Sequence, residues 1–147
     1  MASEIGVIKL YSQRILALAT ELPPFQEIKH PDASVKKRAP LCGSTVTVSI
    51  KVDDTKIIAF SQDVKACVLG QAAASIISQN IIGCTFEHLE NTKEHLKLML
   101  NTGEGSIDPP FEELAILKPA KEHKNRHSSI LLSIEATTEA MAKVLNT

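Results

Sequence analysis

The sequence predicts an α+β fold, a small antiparallel three-stranded sheet with helices packed on one face. Three observations carry that expectation. Residues Thr45-Val46-Thr47-Val48-Ser49-Ile50-Lys51-Val52 alternate strictly between polar and β-branched apolar side chains, the period-two signature of a half-buried strand. The strand-type residues are gathered in one block, with helix-type patterns on either side, and segregated strands and helices build α+β rather than alternating α/β domains. Finally, the 147 residues are 44% hydrophobic and 22% charged, which fits a single domain over residues 1–147 with a genuine core.

Taken in order, Glu4 to Ala19 reads as an amphipathic helix with Ile5, Ile8, Ile15 and Leu16 near one face, ended by Pro23-Pro24. Residues 23–40 read as a polar connector containing Pro31-Asp32 and the basic run Lys36-Lys37-Arg38. After the alternating strand, Asp53-Asp54-Thr55 turns the chain and Lys56 to Phe60 returns as a second strand. Ser61 to Lys65 is either a third strand or the continuation of the second. Val68 to Gln79 is a helix of small residues closed by Gly83. Thr85 is placed to cap a helix from Phe86 to Asn101, with Leu89, Leu96, Met99 and Leu100 inward and Gly103 at its far end. A loop to Pro110, a short helix or turn from Phe111 to Leu117 and a basic connector from Lys118 to Arg126 follow. Ser128 or Ser129 is expected to cap the last helix, which carries Ile130, Ile134, Met141 and Leu145 at helical spacing.

Composition removes several classes of function. A net charge of -1 gives no global field for nucleic acid or an anionic membrane. With no Trp, one Tyr and four Phe there is no set of platforms for stacking bases. No apolar stretch approaches the length of a membrane span, and Glu4 with short apolar runs argues against a signal peptide. The expected compartment is the cytoplasm. An odd count of three cysteines argues against a disulfide framework.

Cysteine and histidine are the residues left to carry chemistry. Cys42 lies in Pro40-Leu41-Cys42-Gly43-Ser44, a tight turn before a strand. Cys67 lies where a strand gives way to a helix, so its thiol sits near unpaired backbone N–H groups that favour a thiolate, with Lys65 nearby. Thiols at the ends of adjacent strands can share one site and bind a soft metal or accept sulfur. The competing reading for each is a small buried hydrophobe. His127 is a possible third donor, or a solvated residue of the basic connector. Cys84, at a junction between helices, reads as structural. His88 and His95 are seven apart on one helix, off the metal-pair spacing, and read as surface residues. His30 and His123 belong to no constellation. There is no CxxC pair, P-loop, GxSxG or HExxH, and the basic runs read as solvated faces or as a docking surface for an acidic partner.

These motifs, in this order, resemble the IscU/NifU/SufU family. The matching segments are Tyr11-Ser12-Gln13-Arg14-Ile15-Leu16, Leu41-Cys42-Gly43-Ser44 with Val46-Thr47-Val48, Ala66-Cys67-Val68-Leu69-Gly70-Gln71-Ala72-Ala73-Ala74-Ser75, and Arg126-His127-Ser128-Ser129-Ile130-Leu131. The helix from Thr85 to Asn101, ahead of Gly103-Glu104-Gly105, is similar to the insertion of the SufU-type branch. The resemblance implies a SufE/NifU-like fold and a non-enzymatic scaffold for iron–sulfur cluster assembly. It implies a site at Cys42, Cys67 and His127 for iron or a transient [2Fe–2S] cluster, with zinc as an alternative. It also implies a cysteine desulfurase as sulfur donor, apo iron–sulfur proteins as recipients, and a monomer or weak homo-oligomer. Two positions depart from the family pattern. Ser44 stands where the family carries aspartate, and serine replaces the third cysteine, at Ser129 if Arg126 is aligned or at Ser128 if His127 is. Two further readings follow, a persulfide acceptor at Cys67 and a metal-free binding module that keeps only the fold.

Overall fold

The computed structural model describes residues 11–146. Their order is α1 (Gln13–Thr20), β1 (Ala33–Arg38), β2 (Thr45–Asp53), β3 (Lys56–Lys65), α2 (Val68–Asn80), α3 (Phe86–Thr102), 3-10 runs at Glu112–Glu122 and Lys124–Arg126, and α4 (His127–Leu145). The sheet is three-stranded and antiparallel in the order β1-β2-β3. Val35, Val46, Val48, Ile50 and Ile57 are buried beneath the helices, with α4 against β1 and β2 and α2 against β3. The α+β architecture is the one expected.

Of the two readings of Ser61 to Lys65, the continuation of the second strand holds, and the third strand lies elsewhere. Lys56–Lys65 is one continuous strand, and the additional strand is Ala33–Arg38, inside the stretch read as a polar connector. Its register with β2 pairs Val35 with Val48 and Arg38 with Thr45. This is an edge strand with a single buried apolar residue, Val35. Lys36, Lys37 and Arg38 mask its alternation, and charged edges of this kind discourage pairing with other chains. At the other hairpin, Asp54 and Thr55 adopt φ of 50° and 63°, the doubly positive geometry of a primed two-residue turn that matches strand twist.

The helix read from Glu4 to Ala19 is described only from Gln13, and residues 4–10 lie outside the described residues. Ser12 caps it, accepting from the Ile15 N–H at 3.3 Å, a contact worth about 1 kcal/mol. Ile15 and Leu18 are its buried residues, while Leu16, expected inward, is exposed. The helix capped by Thr85 forms as expected, running one residue further to Thr102 with Gly103 in the left-handed conformation behind it.

The connector expected from Lys118 to Arg126 is instead mostly 3-10 helix. Leu114, Leu117 and Ala120 are buried, a spacing of three that eclipses side chains on one face of a 3-10 helix. That period resembles neither an α-helix nor a strand, which is why a periodicity search passes over it. The segment sets the entry angle of α4. Inside the core, Gln62 of β3 donates to the Ala74 carbonyl at 2.9 Å and accepts from the Ser133 hydroxyl at 2.8 Å, tying the sheet to α2 and α4. The first turns of α2 and α4 meet at Gly70, where even a methyl group would lie 2.8 Å from Cβ of Ala66 and 3.1 Å from the Ser129 carbonyl.

Candidate functional site

Cys42 occupies the turn between β1 and β2. The turn is closed by the Ala39 N–H on the Ser44 carbonyl at 2.8 Å and the Gly43 N–H on the Ala39 carbonyl at 3.1 Å. Gly43 supplies the φ of 72° that this tight reversal needs. The turn leaves Leu41 74% exposed and Cys42 exposed, with its sulfur 3.1 Å from Ser44 Oγ. Cys67 follows the end of β3 as N-cap of α2, in extended conformation. It is half-buried rather than exposed. Its sulfur faces the N–H groups of Leu69 and Gly70 without closing a capping hydrogen bond on them.

What joins the two thiols is a pair of serines. Ser44 Oγ lies 3.2 Å from Ser129 Oγ, and Ser129 Oγ lies 3.5 Å from the Cys67 sulfur. Both serines are buried, at 5% and 2% exposure. The contacts therefore run Cys42–Ser44–Ser129–Cys67, drawing on three separate parts of the chain. Neither serine at the head of α4 caps it. The helix begins at His127 with Arg126 as N-cap and no side-chain cap, and Ser129 spends its hydroxyl on the site. Of the two serines, Ser129 is the one whose hydroxyl meets the Cys67 sulfur, while the Ser128 Oγ is buried with no hydrogen-bond partner among the described residues.

His127 stands elsewhere. Its Nε2–H donates to the Ala120 carbonyl at 2.8 Å and its ring is 9% exposed. Among the described residues no group of three or more His, Cys, Asp and Glu side chains is placed to hold a metal ion, so the ring does not stand with the two cysteines in this conformation. Cys84 is buried and donates to the Asn80 carbonyl at 3.3 Å, the structural role expected. His88 is exposed, whereas His95, also expected on the surface, is half-buried, with no hydrogen-bond partner for its Nδ1 among the described residues.

The electrostatics favour thiolates. The Ser44 hydroxyl is the largest influence holding the Cys42 thiol below its ordinary value; the Ser44 N–H, the Ser129 hydroxyl and the Arg126 charge reinforce it against a burial penalty. At Cys67 burial is the largest influence and opposes ionisation. The Ser129 hydroxyl, the Gly70 and Leu69 N–H groups and Arg126 together outweigh it and pull the thiol down. Cys84, with burial alone acting on it, is pushed up. Two thiolates and two hydroxyls form a poor donor set for a resident metal, because hydroxyl oxygen is a weak ligand for soft ions at neutral pH and a structural ion wants four good donors. Residue spacing in the chain revealed the cysteines but not the serine bridge. The signal that was available is the pairing of Ser44, two residues after Cys42, with a second serine at the start of α4.

No family model matches the chain. By sequence it is 25% identical over 103 residues to the iron–sulfur cluster assembly scaffold protein IscU of Thermotoga maritima, covering 70% of this chain and 72% of that one. A structure from Fervidobacterium islandicum, named as a cluster assembly scaffold for the SUF system, shares the fold with a TM-score of 0.80 at 19% identity, over 91% of this chain and 98% of the other. The crystal structure of a nitrogen-fixing NifU-like protein (N-terminal) from Brucella abortus superposes with a TM-score of 0.93 at 31% identity, over 97% of this chain and 99% of that one. Identity at that level, carried across nearly the full length of both chains, makes this protein a member of the NifU-like (N-terminal) family, with the IscU scaffold of Thermotoga maritima similar to it by sequence.

Proposed function

We propose that this protein serves iron–sulfur cluster assembly as a non-enzymatic scaffold in the cytoplasm, holding iron or a nascent [2Fe–2S] unit as cargo through Cys42 and Cys67. The observation that supports this most is the meeting of the two thiols from different elements at one hydrogen-bonded cluster. Two protein donors leave positions open, which suits cargo that must be handed on rather than kept. His127 becomes a third donor only if its ring leaves the Ala120 carbonyl. A cysteine desulfurase is the expected source of sulfur and an apo iron–sulfur protein the recipient. Anaerobic reconstitution with iron and sulfide, followed by absorption spectra, tests the reading. A cluster that forms on the native chain and is lost in Cys67→Ser supports it; no cluster, or one unchanged in that variant, overturns it.

A second reading has its own support. Cys67 can accept a persulfide, because it is anchored at the N-cap of a 13-residue helix with the Ser129 hydroxyl 3.5 Å from its sulfur. Transfer of labelled sulfur from a desulfurase to Cys67, with faster desulfurase turnover, is its expected result, and a desulfurase indifferent to the chain refutes it.

A further inference from the structure

We propose that Cys42 and Cys67 form a resolving dithiol that releases sulfide from a persulfide carried on Cys67, a step that rests on the acceptor reading just given. The basis is the asymmetry of the two thiols around one bridge. Cys67 is fixed at the head of α2 and half-buried. Cys42 is exposed on a turn that reverses at Gly43 with φ of 72°, beside the 74% exposed Leu41. The sulfur of each touches a serine hydroxyl, and the two hydroxyls touch one another at 3.2 Å. An exposed thiol on a turn and an anchored thiol at a helix head are therefore linked through the same pair of touching hydroxyls. No third Cys, His, Asp or Glu stands with the pair among the described residues. Cys84, buried on the Asn80 carbonyl, is out of reach of the exchange.

The step balances within the chain. The Cys42 thiolate attacks the Cys67 sulfur of the persulfide, forming the Cys42–Cys67 disulfide bond. The bond from Cys67 to its outer sulfur breaks, and the outer sulfur leaves with the bonding pair as hydrosulfide. The outer sulfur is reduced to hydrosulfide as the Cys42 thiolate is oxidised to disulfide level, so release itself needs no outside reductant. A dithiol reductant, such as a thioredoxin-class protein or dithiothreitol, reopens the disulfide for the next cycle. The Arg126 charge, which favours the thiolate form of both cysteines, also favours the departing hydrosulfide anion.

The test charges the whole protein with a cysteine desulfurase and limiting cysteine, without added thiol. Free sulfide is trapped with an alkylating reagent and the chain is followed by intact-mass and peptide mass spectrometry against a desulfurase-only control. The expected result is near-stoichiometric sulfide from the native chain, with loss of two hydrogens mapped to a Cys42–Cys67 disulfide. Cys42→Ser should instead retain one extra sulfur on Cys67 and release no sulfide above the control, and Cys84→Ser should behave as the native chain. A persulfide that stays intact on the native chain, or sulfide release by Cys42→Ser at the native rate, overturns the dithiol step while leaving the acceptor reading standing. Absence of sulfur gain on Cys67 in both native and Cys42→Ser chains overturns the acceptor reading and the dithiol step with it.

Discussion

Replacing Gly70 by alanine sets two physical effects directly against each other. Gly70 lies in the first turn of α2, where Gly→Ala gains up to about 1 kcal/mol from helix propensity and a less flexible unfolded chain. The new methyl group would press on the Ser129 hydroxyl and lie 2.8 Å from Cβ of Ala66 and 3.1 Å from the Ser129 carbonyl. None of these is the far end of a long side chain, so α2 and α4 must separate. Overpacking a tight interior contact costs about 1–3 kcal/mol. The clash outweighs the propensity gain, leaving a net loss of about 1 kcal/mol and, at this chain length, a fall in Tm of about 2–4 °C. The same displacement lifts Ser129 Oγ off the Cys67 sulfur, which it meets at 3.5 Å, so the Cys67 thiol should titrate higher. Urea unfolding and the pH dependence of iodoacetamide labelling at Cys67 measure the two effects. A Gly70→Ala variant that is more stable than the native chain, with unchanged Cys67 labelling, would refute the reasoning.

Three further tests, by single or paired substitution, probe the same framework. Ser129→Ala should raise the Cys67 and Cys42 thiols toward their ordinary values, visible as slower alkylation at neutral pH. Because both thiols are depressed in the folded state, native stability should rise with pH from the folded values up to the ordinary thiol value of about 8.5 and be lost as pH falls through the folded values; urea titrations across that window should show a flatter rise in Ser129→Ala. Gln62→Leu strands the buried Ser133 hydroxyl, which loses its 2.8 Å contact, at a cost of about 1–3 kcal/mol; adding Ser133→Ala should recover part of the loss, and an unchanged midpoint in Gln62→Leu would show that the clamp contributes nothing. The pair Ser44→Asp with Ser129→Cys places three thiols and a carboxylate at the cluster and should bind zinc far more tightly than the native chain by elemental analysis, whereas equal zinc content in both would show that the serines do not set the donor strength.

The strands from Thr45 to Lys65 and the helices after them were legible because each has a strong period and an unambiguous end: the primed turn at Asp54-Thr55, Thr85 capping α3 and Gly103 closing it. Cys42 and Cys67 were legible as a pair because adjacent antiparallel strands must bring such ends together. The edge strand Ala33–Arg38 was hidden, since one inward valine among lysines carries almost no alternation. The 3-10 run at Glu112–Glu122 was hidden by its spacing of three.

The local pattern along the chain was thus enough for the α+β class, the order of the central elements and the identity of the two cysteines that meet at one cluster, because period, capping and turn chemistry act over a few residues. The partners of those thiols were a matter for tertiary structure alone. Ser44 and Ser129 are 85 positions apart, and nothing local states that the first turn of α4 packs on Gly70 closely enough to aim Ser129 at Cys67 while His127 turns to the Ala120 carbonyl. That outcome depends on the angle at which the 3-10 segment delivers α4 to the sheet, a quantity set by packing over the whole core.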